Sequence, residues 1–121
     1  LKSPKIDQLF LIGDKREYIT AIIIPNQETL QETFNLDESF FKQETDFIEN
    51  QEIKEWFEKD IKKISNELAK FERIKNFKIK RNPFSIDEGE ITPTMKVKRR
   101  VVEKKYIEAI NSMYEEDVET D

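Results

Sequence analysis

The chain has 121 residues, of which 36% are hydrophobic and 39% are charged, and its formal net charge is −5. A chain of this length usually forms one domain, so we expect a single domain over residues 1–121. It contains no cysteine and no histidine, which excludes disulfides, Cys/His zinc sites and histidine-activated nucleophiles within it. No hydrophobic run approaches the roughly 18 residues of a spanning helix. No secretory signal is visible either, so we expect a cytoplasmic protein.

The charge is unevenly distributed along the chain. Residues 27–60 are acidic, residues 70–105 are rich in lysine and arginine, and residues 115–121 are acidic again. A net negative charge opposes binding to nucleic acid, so we expect no nucleic-acid partner and look for an anionic ligand at the basic stretch. We expect residues 113–121 to form a frayed acidic tail. Because the sequence opens at Leu1 without an initiator methionine, we interpret it as a piece of a longer protein.

Two hydrophobic strands are predicted at the start of the chain. Residues 6–12 and residues 18–24 are rich in aliphatic and β-branched side chains, and the turn-rich residues 13–17 join them. Pro25 ends the second strand because proline cannot donate to a sheet ladder. The short connection favours an antiparallel pair. Since both strands look hydrophobic on two faces, we expect helices to cover the sheet.

Helices are predicted in the middle of the chain. Asn26 is a suitable N-cap for a helix that ends near Phe34, and Asp37 can cap another short helix. The longest helical signal spans residues 50–70, where hydrophobic residues recur at three- and four-residue spacing. These residues are Ile53, Trp56, Phe57, Ile61, Ile64 and Leu68.

The last third of the chain contains a predicted strand, a loop and a helix. Residues 75–81 alternate polar and hydrophobic residues, which predicts a strand with one face in water. Asn82, Pro83 and Gly89 indicate a loop. Residues 97–114 are predicted as a helix whose hydrophobic side is formed by Val101, Val102, Tyr106, Ile110 and Met113. We therefore expect an α+β fold in which a small, mainly antiparallel sheet packs with three or more helices.

The residues from Gly89 to Arg100 carry the strongest functional signal. They combine a flexible glycine, a rigid proline, two threonine hydroxyls and four cations. Lys96 lies where the loop passes into the last helix, so its ammonium can reach a phosphate or carboxylate on a partner surface. Cations at a helix start are usually solvated, and the helix dipole disfavours each of them by roughly 0.3–1 kcal/mol. That conflict hints that these cations serve another purpose.

Two strings of residues resemble one enzyme family. Residues 89–102, GEITPTMKVKRRVV, look like the terminal motif of long-chain fatty-acid–CoA ligases in the adenylate-forming superfamily. Residues 6–25, IDQLFLIGDKREYITAIIIP, resemble the C-terminal domain of the same branch, and the resemblance covers essentially the whole chain. In the broader superfamily motif, Thr-x-x-Gly-Lys-x-x-Arg, the fitting residues are Thr92, Lys96 and Arg99. Met95 stands in place of the glycine, as in the long-chain branch.

The resemblance implies that this chain is the C-terminal lid domain of an AMP-forming ligase. In that family the motif lysine, here Lys96, assists the attack of a fatty-acid carboxylate on the α-phosphorus of ATP. The domain then reorients for thioester formation with CoA. By the same resemblance Thr92, Thr94, Lys98 and Arg99 are candidates for substrate binding, and no metal ligand is expected in this chain.

The resemblance also implies that most of the active site lies outside this chain. The expected partner is the large N-terminal domain of the same polypeptide, which would hold the fatty acid, ATP, CoA and Mg²⁺. The resemblance is also compatible with peripheral association of the parent enzyme with a membrane. The chain has only Gly13 and Gly89, so it offers no glycine-rich phosphate loop. We expect this piece to fold, but to be inactive and without a cofactor on its own.

Two other functions compete with the ligase domain. The first is a non-catalytic interaction module that docks through its basic C-terminal face onto an acidic partner. The second is a weak binder of RNA or of a membrane surface through residues 70–105, which the acidic segments of the chain oppose.

Overall fold

The computed structural model describes residues 3–115, except for the side chain of Phe71. Contacts divide these residues into two compact units, residues 3–82 and residues 83–115. The strands are β1 (Ile6–Ile12), β2 (Ile19–Pro25), β3 (Phe47–Ile48) and β4 (Ile74–Lys80). The helices are α1 (Gln27–Phe34), α2 (Gln51–Asn66), α3 (Arg99–Lys105) and α4 (Ile107–Glu115), with 3-10 turns at Glu38–Lys42 and Lys70–Glu72.

The first unit contains a four-stranded sheet in the order β1-β2-β4-β3. β1 pairs antiparallel with β2, as the short connection predicted. β4 runs parallel to β2, and β3 pairs antiparallel with β4. The expected α+β fold with a mainly antiparallel sheet is therefore confirmed. The sequence analysis missed β3 because two residues are too short to show a strand pattern.

Hydrophobic residues on both faces of β2 are buried, as the continuous hydrophobic run predicted. Ala21 and Ile23 belong to a cluster with Leu30 of α1 and Phe57 of α2. The alternate residues of β1 and β2 point to the other face of the sheet. The hydrophobic residues buried on that face are Phe10, Ile12, Ile22 and Ile24. Phe57 is fully buried, so its truncation to alanine would cost about 3–5 kcal/mol.

The prediction of a water-facing side on the third predicted strand is wrong. Lys80 and Arg81 are buried and donate to main-chain carbonyls instead. The Lys80 ammonium lies 2.7 Å from the Asn82 oxygen, and the Arg81 guanidinium lies 2.7 Å from the Phe40 oxygen. Carbonyl acceptors can satisfy a buried cation, so alternating lysines do not by themselves identify an exposed face. These two cations of the basic stretch are already bonded inside the fold.

Asn26 and Asp37 are caps in the first unit as expected, and Asn50, which was not predicted, caps α2. The Asn26 side chain accepts from Thr29 N–H at 2.9 Å, and the Asn50 side chain accepts from Ile53 N–H at 3.1 Å. The Asp37 carboxylate accepts from Ser39 N–H and starts a 3-10 turn rather than an α-helix.

The predicted helix over residues 97–114 is two helices, α3 and α4, that are interrupted at Tyr106. Tyr106 is buried as expected, whereas Val101 is exposed. The predicted frayed tail over residues 113–121 begins inside α4, where Met113 is fully buried. Residues 116–121 of that tail lie outside the described residues. The single domain over residues 1–121 stays a prediction.

A polar cluster ties the start of the first unit to α2. The Ser3 hydroxyl and the Lys5 ammonium both donate to the Asp60 carboxylate, the ammonium at 3.0 Å. The same ammonium lies 4.5 Å from the centre of the Trp56 ring. Burial alone would raise the pKa of Asp60, but the bonds from Ser3 and Lys5, with the charges of Lys5 and Lys63, outweigh it and lower that pKa.

We predict that Asp60→Asn weakens the dependence of folding stability on acid pH. Because the folded-state pKa is lower than the unfolded-state pKa, Asp60 stabilises the fold above about pH 5, and this stabilisation is lost as the pH falls through the folded-state pKa. Urea unfolding between neutral and acid pH measures the effect, with the exposed Asp14→Asn as the control. An acid dependence in Asp60→Asn equal to that of the unsubstituted chain would contradict it.

Candidate functional site: the Lys96 hairpin

Residues 91–97 form a short hairpin, here called the Lys96 hairpin. Ile91 and Val97 pair in an antiparallel bridge, and Thr92 N–H donates to the Lys96 oxygen at 2.8 Å. Met95 N–H donates to the Thr92 oxygen at 2.8 Å, which closes a turn through Pro93. Lys96 therefore follows a three-residue hairpin loop, whereas it was predicted to lie where a loop passes directly into the last helix; that helix begins only at Arg99.

Met95 adopts the left-handed backbone conformation, with φ of 68°. Three-residue hairpin loops end in such a residue, and glycine takes this conformation without the Cβ penalty of other residues. The superfamily motif has glycine at this position. The backbone path that the glycine favours is thus kept by a methionine, whose side chain is 69% exposed.

The two threonine hydroxyls form bonds inside the hairpin loop. Thr92 Oγ1 accepts from Lys96 N–H at 3.0 Å and lies 3.0 Å from Thr94 Oγ1. Both hydroxyls therefore fix the backbone at Lys96 and the turn before it. Their predicted contact with substrate stays a prediction.

The side chain of Lys96 is exposed. Across residues 3–115, its ammonium forms no hydrogen bond and no ion pair. Lys98 and Arg99 are exposed as well, and Arg99 lies 4.0 Å from Glu103 one helical turn away. The structure brings the predicted cations together on the hairpin and the residues that follow it, and it leaves the ammonium groups of Lys96 and Lys98 without a bond to any residue within 3–115.

The sequence analysis missed Glu90, whose side chain is only 1% exposed. Its carboxylate accepts from Ser85 N–H at 3.0 Å and from the Tyr106 hydroxyl, and the Lys105 ammonium lies 3.3 Å away. A glutamate between a glycine and an isoleucine in a loop gives no signal of burial. Its partners follow 15 and 16 residues later, so only the folded chain reveals the cluster.

The Lys105 ammonium is held by two carboxylates. Burial alone would lower the pKa of Lys105, but the hydrogen bond that Lys105 donates to Glu88 and the charge of Glu90 outweigh burial and raise it. Lys105 therefore stays protonated and is not a candidate base. In the part of the chain that the structure describes, no three acidic side chains converge to hold a metal ion. None of the described helices combines the length and the apolar composition needed to cross a bilayer.

Comparison with known proteins decides the family. Residues 1–118 match the sequence model described as the AMP-binding enzyme C-terminal domain. The chain belongs to that family. The resemblance inferred from the two strings of residues is therefore confirmed, and the Lys96 hairpin is part of a domain of adenylate-forming enzymes.

Several curated ligases are similar to this domain. A chloroplastic long-chain-fatty-acid–acyl-carrier-protein ligase of Arabidopsis thaliana is 33% identical over 114 residues, which cover 94% of the chain and 14% of that relative. Long-chain-fatty-acid–CoA ligase 5 of Rattus norvegicus is 31% identical over 120 residues, covering 94% of the chain and 17% of that relative. The chain thus spans less than a fifth of the length of these relatives.

Two solved structures share the fold. The A-PCP didomain of a carboxylic acid reductase from Segniliparus rugosus matches with a TM-score of 0.70 at 24% identity, over 93% of this chain and 14% of that chain. The adenylation domain of a carboxylate reductase from Mycobacterium chelonae matches with a TM-score of 0.71 at 20% identity, over 94% of this chain and 16% of that chain. These matches establish the architecture of the domain.

We predict that Met95→Gly strengthens the hairpin and that Met95→Val weakens it. Glycine adopts a positive φ without penalty, whereas a β-branched residue in that region costs about 1 kcal/mol or more. Hydrogen exchange of Thr92 N–H reports local opening of the hairpin. We expect its protection to fall about fivefold or more in Met95→Val and to be kept or increased in Met95→Gly. Lower protection in Met95→Gly than in Met95→Val would contradict the left-handed turn.

Proposed function

We propose that this chain is the C-terminal domain of an AMP-forming long-chain fatty-acid–CoA ligase, in which Lys96 assists acyl-adenylate formation. The observation that carries the proposal is the Lys96 ammonium, which is exposed at a hairpin end and has no bond within residues 3–115. The family supplies the reaction class, and the names of the curated relatives supply the substrate class. The hairpin supplies the placed cation.

The chemistry explains why a lysine is suited to this position. When a carboxylate attacks the α-phosphorus of ATP, negative charge grows on the phosphoryl oxygens in the transition state. An ammonium that is already placed near these oxygens stabilises the charge without reorganisation at the moment of reaction. Within residues 3–115 no carboxylate pairs with the Lys96 ammonium, so binding of the phosphate breaks no ion pair among these residues.

The neighbouring residues have supporting roles in this proposal. Thr92 and Thr94 hold the turn, and their hydroxyls keep the Lys96 backbone in place. Lys98 and Arg99 add positive potential at the same end of the second unit, where they would attract the triphosphate. After adenylation the domain would reorient and present another surface for thioester formation.

The remaining parts of the active site would belong to the large N-terminal domain. That domain would bind the fatty acid, ATP, CoA and Mg²⁺, and the parent enzyme would act in the cytoplasm or at a membrane surface. CoA is the proposed thiol acceptor. A carrier-protein thiol is the alternative, since one relative is named for that acceptor.

The decisive experiment separates the two half-reactions in the full-length ligase. We expect Lys96→Ala to slow adenylate formation by about 10²–10³-fold, the usual cost of one lost electrostatic contact in a transition state. Thioester formation from pre-made acyl-adenylate should change little. Pyrophosphate release and acyl-CoA formation from the adenylate are measured separately by rapid quench.

The exposed Lys104→Ala serves as the matched control because it removes the same charge from the same unit. It should leave both half-reactions near the wild-type rate. If Lys96→Ala and Lys104→Ala slow adenylation equally, a placed ammonium is not the cause. If Lys96→Ala slows both half-reactions equally, the role of Lys96 in the first step is wrong.

We also predict that the 121-residue chain folds alone but forms no acyl-CoA from fatty acid, ATP and CoA. The chain matches only 14% and 17% of the two relatives described above, so the surfaces for these substrates would lie elsewhere. Circular dichroism checks folding, and mass spectrometry of the reaction products checks turnover. Sustained acyl-CoA production by the purified chain would overturn the prediction.

The alternative is a non-catalytic module that docks through its basic C-terminal face. The exposed Lys98, Arg99 and Arg100 are the observation that favours it. If the chain is a docking module, replacing these three cations together would weaken binding to its partner. The variant Lys96→Ala would then leave adenylation by the parent enzyme unchanged.

A further inference from the structure

We propose that Glu90 is a positioning residue that fixes the base of the Lys96 hairpin and so sets the place of the Lys96 ammonium. Its carboxylate acts together with Tyr106 and Lys105 at the junction of α3 and α4. The inference rests on the proposed role of Lys96 in adenylation and names the residues that hold it in place.

The Glu90 carboxylate links the hairpin base to two other parts of the second unit, the start of the loop and the junction of α3 and α4. One oxygen, Oε1, accepts from Ser85 N–H at 3.0 Å, at the start of the loop. The other oxygen, Oε2, accepts from the Tyr106 hydroxyl and lies 3.3 Å from the Lys105 ammonium. A displacement of Glu90 would therefore break bonds to the loop and to the helix junction at once.

The backbone of Glu90 is fixed on both sides as well. Its N–H donates to the Ser85 oxygen at 3.0 Å, and its oxygen accepts from Lys98 N–H at 2.8 Å. The Lys98 bond lies directly below the bridge between Ile91 and Val97. Glu90 and Lys98 are thus the last pair at the base of the hairpin, and Thr92 and Lys96 are the pair nearest its tip.

A buried carboxylate is a costly way to fill space. Replacing a buried ion pair by hydrophobic residues of similar volume is often neutral or stabilising. A leucine at position 90 could fill the same space without hydrogen bonds. The Glu90 carboxylate, which is bonded to three donors, instead favours one orientation of the backbone at the hairpin base.

That orientation matters because an isolated two-stranded hairpin is only marginally stable and takes its position from its anchorage. The tip lies two residues above the base, or about 7 Å, so a tilt of about 10° moves it by about 1 Å. Misplacement of a catalytic group by about 1 Å can reduce a rate by about 100-fold. Small displacements of Glu90 should therefore displace Lys96 enough to slow adenylation.

The test uses Glu90→Gln and Tyr106→Phe in the full-length ligase. Glutamine keeps the volume and the acceptor for Ser85, but it removes the charge that faces Lys105. Phenylalanine removes only the hydroxyl. We expect each variant to slow adenylation by roughly 10- to 100-fold through kcat, with little change in the KM for ATP and in thioester formation from pre-made adenylate. The exposed Glu108→Gln is the matched control and should leave both half-reactions unchanged.

A double-mutant cycle with Lys96→Ala separates positioning from general damage. If Glu90 acts through Lys96, adding Glu90→Gln to Lys96→Ala causes no further loss of adenylation rate. A further loss equal to that of Glu90→Gln alone would overturn the inference, and so would wild-type adenylation in both Glu90→Gln and Tyr106→Phe. A wild-type rate in Lys96→Ala would instead refute the proposed function itself. Urea unfolding of each variant shows whether that variant folds. If Glu90→Gln does not fold, the adenylation rate of Tyr106→Phe alone tests the inference.

Discussion

The proposed function depends on one constraint: the hairpin fixes the backbone at Lys96, while the exposed Lys96 ammonium is bonded to no acceptor within residues 3–115. The turn through Pro93 and Met95 fixes the backbone, and the Thr92 hydroxyl bonds Lys96 N–H. A cation that is carried on a fixed backbone and has no internal partner gains its interaction energy only when an external anion arrives. Electrostatic catalysis requires such a preorganised group.

The second unit combines exposed charges on the hairpin and at the start of α3 with a buried charge at the hairpin base. Lys96, Lys98 and Arg99 face solvent, whereas the Glu90 carboxylate is enclosed by hydrogen-bond donors. The buried group can orient the hairpin because its bonds are shielded from competition with water. The Lys96 ammonium can exchange water for phosphate because no acceptor within residues 3–115 competes for it. Each charge therefore lies in the environment that its proposed role requires.

Much of the first unit could be predicted from the sequence, because buried strands and an amphipathic helix produce recognisable spacings of hydrophobic residues. The asparagine cap of α1 follows such a local rule and was predicted. The parallel pairing of β4 could not be predicted, since strand pairing depends on contacts between distant parts of the chain. In the second unit, Lys96 was found through the motif, but Glu90 was missed because its partners Lys105 and Tyr106 are distant in sequence. The break at Tyr106 was missed because the hydrophobic spacing continues through it.

The central claim is that an ammonium at position 96, rather than any other property of the lysine, assists adenylation. Lys96→Cys in the full-length ligase, followed by aminoethylation of the thiol, restores an ammonium at nearly the same distance from the backbone. The account predicts slow adenylation before treatment and recovery of most of the wild-type rate after it, with the treated wild-type enzyme as the reference. Adenylation that stays slow after complete aminoethylation, or that is already fast in untreated Lys96→Cys, would contradict the account.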